Sequence, residues 1–325
     1  MRGNMQAASV AASSFAVETC AELAASVAAI EAMHAYVRRL SVTASRRRLR
    51  GEDVCDQSLP VELFALRPPR TAVPPLVLLG GMGPLAGANG FARACAVFGE
   101  SREIVLLQAC SIPDRTGAVL ADARSRGATS PEHVAVVDAL DAALHEAVGH
   151  VTSPSRAIDV IALCNAAHAF LPEVFERMAN RHVRLISLAE CVVDALARRA
   201  GAALILSTVG TRVARVFTRR LDEEGLRYVE PSDAIQEKLM RAIYAGVKAL
   251  DWKTAAAAGE AVLTELLAAN PDVDCIVAGC TEIPEILELL KRSGSGDLKK
   301  RLADIEVLDP VELALQAVAG NGRAA

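Results

Sequence analysis

The sequence predicts an α/β protein built on short parallel sheets, and three observations carry that expectation. From about residue 74 onward, apolar runs of strand length alternate with helical stretches. The runs are apolar nearly throughout, as strands covered on both faces are. One strand-like element also occurs twice, as VIALC-NAAHAF around Cys164 and as IVAGC-TEIPE around Cys280. Each copy is preceded by an aspartate, Asp159 or Asp274.

Taken in order, the first 70 residues differ from the rest. The stretch AASVAASSFAVETCAELAASVAAIEAMHAYVRRL has helical periodicity and good helix formers, which predicts one helix near residues 15–40. The charged, turn-rich SRRRLRGEDVCDQSLP follows as a linker. Glu18, Glu22 and Glu31 argue against an organelle leader. The strands expected next are PLVLLG, EIVLLQ, IDVIALC, VRLISL, AALILST, DCIVAGC and IEVLD. Between them HVAVVDALDAALHEAV, AECVVDALARRA, DAIQEKLMRAIYAGVKAL and TAAAAGEAVLTELLAA read as helices. Right-handed crossovers put the C-terminal strand ends on one side, where open α/β sheets bind ligands. Both repeated cysteines stand at such ends.

Bulk composition sets the frame. A chain of 325 residues with 52% hydrophobic and 23% charged residues builds a sizeable core, divided over about two domains. A net charge of −4 gives no reason to expect nucleic acid or an anionic membrane as partner. No apolar run reaches the roughly 18 residues of a membrane span. The eight cysteines are Cys20, Cys55, Cys95, Cys110, Cys164, Cys191, Cys275 and Cys280. They form no CxxC and no zinc-like spacing with histidine, so reduced thiols in a cytoplasm are expected and no metal site.

The loop LVLLGGMGPLAG links a strand to a helix, and Gly81–Ala86 fits GxGxxA. A dinucleotide is not expected there. EIVLLQ ends without the acidic residue that would hold a ribose, and Pro84 removes an N–H from the turn. No GK[ST] follows, which excludes a P-loop. A tight turn with N–H groups at a helix start remains, suited to a small carboxylate.

A thiol at a strand end, directly before a helix, should have its pKa lowered by the helix dipole. Asn165 and Thr281, which follow the two cysteines, offer side chains for capping or for a ligand. Two such thiols from duplicated halves, facing one another across a cleft, suit inversion of a carbon acid. One removes a proton from one face and the other returns a proton to the opposite face. His168 lies four residues after Cys164, placed to tune that thiol or to cap its helix.

Six motifs in order resemble the aspartate/glutamate racemase family, the amino-acid racemases that use no pyridoxal phosphate. They are GGMGPLAG, SIPDRT, LCNAAH, LSTVGT, QEKLMRAIYAGVKAL and AGCTEIP, spread over roughly residues 75–320. The resemblance implies two pseudo-symmetric α/β domains with the active site in the cleft between them. Their expected bounds are 71–180 plus 302–325 and 181–301, with 1–70 a helical extension and linker. It implies no cofactor, a small-molecule amino-acid substrate and a homodimer. By motif, Cys164 and Cys280 are the acid/base pair. Arg115 and Lys248 are the cationic substrate contacts, and Met82, Gly83, Asn165, Ala166, Thr208 and Thr281 line the substrate. Two cations imply an acidic amino acid, aspartate or glutamate. The sequence departs from the family at Leu163, at Ala166, where the family has Thr, and at Phe217, where it often has Tyr. A broader amino-acid or hydantoin-type substrate, or a catalytically weak amino-acid-binding paralogue, is therefore the alternative.

Overall fold

The computed structural model describes residues 17–52, 59–69, 73–125, 128–152, 157–178 and 182–321. Cys55, with residues 53–58 of the linker, lies outside them. The strands are β1 Thr19–Leu23, β2 Glu62–Leu66, β3 Leu76–Gly80, β4 Ile104–Gln108, β5 Ile158–Ala162, β6 Val183–Leu185, β7 Ala202–Ser207, β8 Tyr228–Val229, β9 Val273–Gly279 and β10 Glu306–Leu308. They form two sheets, ordered β1-β2-β4-β3-β5-β6 and β10-β9-β7-β8.

The second sheet is parallel throughout. The first is parallel except where β2 meets β4. The geometry of the chain explains the exception. Only residues 67–75 join β2 to β3, and a parallel crossover needs a dozen or more. The segment before residue 70 is thus a correction to the helical expectation. Residues 19–23 are a strand, and the helix runs Ser26–Leu49 instead of near 15–40. Pairing with β2 overrides the local helical preference of an alanine-rich run.

Alternation along each strand explains the cores. In β3, Val77 and Leu79 join the cluster containing Leu140 and Leu144, on the helix Pro131–Gly149. Leu76 and Leu78 point to the other face, with Phe91, Tyr36 and Leu315. Tyr36 sits on the helix Ser26–Leu49, whose buried residues Ala29, Met33, Tyr36, Leu40 and Ala44 fall at three- and four-residue steps. Its ring meets Phe64 edge-on at 5.6 Å. In the second sheet Leu204, Leu206, Ile276 and Ala278 pack with Leu239, Val262 and Leu287. Ala203, Ile205, Cys275 and Val277 pack on the opposite face with Val192 and Phe217.

The C-terminal segment is shared between the two units. Strand β10 pairs with β9 in the second sheet. The helix Pro310–Asn321 turns Val311, Ala314, Leu315 and Val318 into the core of the first. Strand β6, past residue 180, still belongs to the first sheet. No helix among the described residues is long and apolar enough to cross a membrane.

Strand order also locates the site. The chain passes from β3 to β4 on one side and then crosses to β5 on the other. From β7 it passes to β8 and then crosses to β9 in the same manner. Both are switch points, where the loops beyond the strand ends splay apart and leave a crevice.

Candidate active site

Three loops of the first unit and three segments of the second converge on one small cavity. Beyond β3, Gly81 adopts φ +86, and a Cβ there would lie 2.4 Å from the Ala109 nitrogen. Only glycine permits that approach. The loop then delivers Met82 to the cavity and enters the helix Pro84–Phe98, with Pro84 in the first turn.

Beyond β4, Asp114 caps the helix Arg115–Arg124, accepting from the N–H groups of Thr116 at 3.1 Å and Gly117 at 2.9 Å. This cap directs Arg115 inward, where it is 5% exposed. Its guanidinium donates to the carbonyls of Ile112 (3.2 Å), Pro113 (2.9 Å) and Met82 (2.6 Å). Lys248 donates to the same Met82 carbonyl at 2.8 Å. That oxygen therefore gathers both cations on one wall, although the two residues come from different units. The Met82 backbone contributes its carbonyl here, where the sequence suggested N–H donors.

Lys248 ends a π-helical segment, Ala242–Lys248, that follows the α-helix Asp233–Arg241. Such segments recur at functional sites. Here it sets the ammonium 5.2 Å from the centre of the Tyr244 ring. The Tyr244 hydroxyl donates to Thr116 Oγ1 at 3.2 Å, tying the second unit to the first across the cavity. Burial pushes the Tyr244 hydroxyl up to about 12. Thr208 caps the helix Val209–Val213 by accepting from the Thr211 N–H at 3.2 Å, and Gln236 donates to the Ser207 carbonyl at 2.8 Å.

The two cysteines lie beyond β5 and β9, on the wall of this same cavity. Cys164 is 8% exposed and Cys280 6%. A five-residue 3-10 helix, Asn165–Ala169, follows the first. Both polar atoms of the Asn165 side-chain amide are buried without a hydrogen-bond partner among the described residues. A buried amide left in that state is suited to a ligand at the cavity.

After Cys280 the helix begins only at Ile283, with Glu282 as its N-cap residue. The Cys280 thiol donates to Glu282 Oε2 at 2.8 Å. Burial, reinforced by the Glu282 carboxylate, pushes that thiol well above its ordinary value. This corrects the expectation of a lowered pKa from the helix dipole. The Glu282 backbone N–H at the helix start does favour the thiolate, but desolvation and the Glu282 carboxylate outweigh it. Neither Asn165 nor Thr281 caps a helix through its side chain.

The cavity thus collects Met82, Arg115, Cys164, Asn165, Ala166, Thr208, Lys248, Cys280 and Thr281 from the sequence-derived set. Gly83 is not on its wall. A Cβ at Gly83 would lie 2.3 Å from Glu282 Oε1, so its missing side chain makes room for that carboxylate. Thr116, Thr211, Tyr244 and Glu282 also line the cavity and were not singled out. The acid two residues after Cys280 was the available signal. His168 is not on this wall. It lines a separate cavity with His133 and Arg219, and burial holds it down at about 4.

A fold of two α/β units with a cation-lined, two-thiol cavity between them defines a class. The family model for Asp/Glu/Hydantoin racemase matches residues 79–318. The chain belongs to that family and is an amino-acid racemase, an isomerase. Among solved structures it is similar to the Picrophilus torridus aspartate racemase, with TM-score 0.56, 21% identity and coverage of 77% of this chain and 94% of that one. It is also similar to an aspartate racemase homologue from Pyrococcus horikoshii, with TM-score 0.50, 18% identity and coverage of 77% and 99%. These likenesses bear on the fold.

Proposed function

We propose that the protein racemises an acidic amino acid, aspartate or glutamate, without a cofactor, using Cys164 and Cys280 as its two acid/base groups. The observation that carries this reading is the presence of both thiols on one small cavity that also holds Arg115 and Lys248. The thiolate of one cysteine takes the α-proton from one face. The carbanion passes its charge into the α-carboxylate, where fixed cations stabilise it. The other thiol gives its proton to the opposite face, and the stereocentre is inverted. The thiol that donated is left as thiolate, so the enzyme emerges ready for the reverse reaction.

Charge favours the acidic substrate. Arg115 and Lys248 offset the Glu282 carboxylate and the one thiolate that the reaction needs, and the two cations stand together on one wall, where they suit a substrate with two carboxylates. Asn165 offers an amide donor and an acceptor to the α-amino and carboxylate groups. Ala166 favours a second reading, a wider substrate range, because a methyl stands where the related motif carries a hydroxyl.

Chiral chromatography of reactions with each enantiomer of aspartate, glutamate, alanine, leucine and a 5-substituted hydantoin tests the assignment. Interconversion of aspartate or glutamate ahead of the neutral substrates is expected. Turnover of only neutral amino acids or of the hydantoin would overturn the acidic assignment.

A further inference from the structure

The two cysteine elements differ in charge at the second position after the cysteine. Two residues after Cys280 stands Glu282; two residues after Cys164 stands Ala166. Only the Cys280 thiol therefore carries an acid within its own strand-end turn. Glu282 is 4% exposed, and its Oε2 accepts from Cys280 Sγ at 2.8 Å and from Thr281 Oγ1 at 3.2 Å. Its other oxygen occupies the space that a side chain at Gly83 would fill. The carboxylate is thus fixed from both sides, by the thiol turn and by the glycine loop of the other unit.

We propose that Glu282 is a positioning residue that holds the proton on Cys280, so that the resting enzyme presents Cys280 as the acid and Cys164 as the base. This rests on the two-thiol reading and adds an order to it. A two-thiol racemase works only while one sulfur is protonated and the other is not. Two equivalent thiols would share a single proton between two indistinguishable forms. A carboxylate against one of them removes the equivalence, because ionising Cys280 would set two anions 2.8 Å apart in a buried site. The titratable and charged groups around Cys280 are Glu282 on its own turn, Lys248 and Tyr244 on the π-helical segment, Arg115 on the first unit, and Cys164 opposite. Lys248 opposes the effect of Glu282, but it is held to the Met82 carbonyl, whereas Glu282 touches the sulfur. Proton count is preserved in each turnover. Cys164 as thiolate takes the α-proton, Cys280 gives its own to the other face, and the next substrate of opposite configuration reverses the pair.

Iodoacetamide alkylation of the full-length protein over pH 6–10, read by mass spectrometry of the two cysteine peptides, tests this directly. The two sulfurs are about equally buried, so accessibility does not set their order. In the wild type Cys164 is expected to react at lower pH than Cys280. In Glu282→Gln the midpoint for Cys280 should fall by about one pH unit or more, the effect of removing an adjacent like charge. Glu282→Asp should restore the higher midpoint. The alkaline limb of the kcat/KM profile should move down with the Gln variant. A Cys280 midpoint unchanged in folded Glu282→Gln would overturn the proposal. So would Cys280 reacting first in the wild type, which needs no variant to fold. Alkylation does not depend on turnover. Loss of racemisation in both cysteine variants together with an unmoved midpoint would therefore remove this inference alone.

Discussion

Asp159, the aspartate before the first cysteine element, gives a stability prediction whose size follows from geometry. It lies in β5 beside Arg102, at 3.1 Å, with both side chains 2% exposed. Arg184 approaches from the rim at 2.7 Å but is 50% exposed, so its share is small. Replacing Asp159 by Leu strands the Arg102 charge in the core, which costs about 3–5 kcal/mol. At roughly 2 °C for each kcal/mol in a chain of this size, the melting temperature should fall by about 6–10 °C. Removing both partners, as Arg102→Met with Asp159→Leu, should recover most of that loss, because no unpaired charge remains. Asp274 is the sequence counterpart in the second copy. It is 47% exposed and 3.4 Å from Arg199, so Asp274→Asn should cost less than about 1 kcal/mol. Calorimetry of the four proteins checks the set. A fall below about 2 °C for Asp159→Leu, or a double variant no better than the single, would refute the reasoning.

Further outcomes follow from buried thiols and from the cation wall. Burial pushes Cys95 up to about 12 from 9.0. Above pH 9 the unfolded thiol ionises while the folded one keeps its proton, so stability falls as pH rises, by up to about 1.4 kcal/mol per pH unit. Urea titrations between pH 9 and 11 should show that slope reduced in Cys95→Ala, and an unchanged slope would contradict the assignment. Lys248→Met should raise KM for the acidic substrate by about tenfold or more through loss of a charge-assisted contact. Initial-rate kinetics that left KM unmoved would place the substrate carboxylate elsewhere.

Much of this architecture was legible in the sequence because buried parallel strands have a simple signature. Seven apolar runs between helices match β3, β4, β5, β6, β7, β9 and β10. Strands β1 and β8 lack that signature; β2, buried and apolar at four of its five positions, carries it but stands before residue 74, ahead of the strand–helix alternation. Most of β1 is exposed, and it sits within an alanine-rich run. Strand β8 is two residues long. The pairing of β2 depends on β4, some forty residues later. The site shows the same division. Motif positions along one strand-to-loop junction could be read locally, as at Cys164, Asn165 and Thr208. Contacts made between distant segments could not. The Met82 carbonyl joins Arg115 and Lys248, Tyr244 reaches Thr116, and Glu282 fills the space left by Gly83. Each requires the two units to be folded against one another.

The central claim is that two thiols work on opposite faces of one α-carbon, and α-proton exchange in D₂O tests it most directly. Each enantiomer of aspartate and glutamate is incubated with the wild type, Cys164→Ala and Cys280→Ala, and followed by NMR. Exchange with inversion is expected in the wild type, with loss of racemisation in both variants. Racemisation at the wild-type rate in either variant would contradict it.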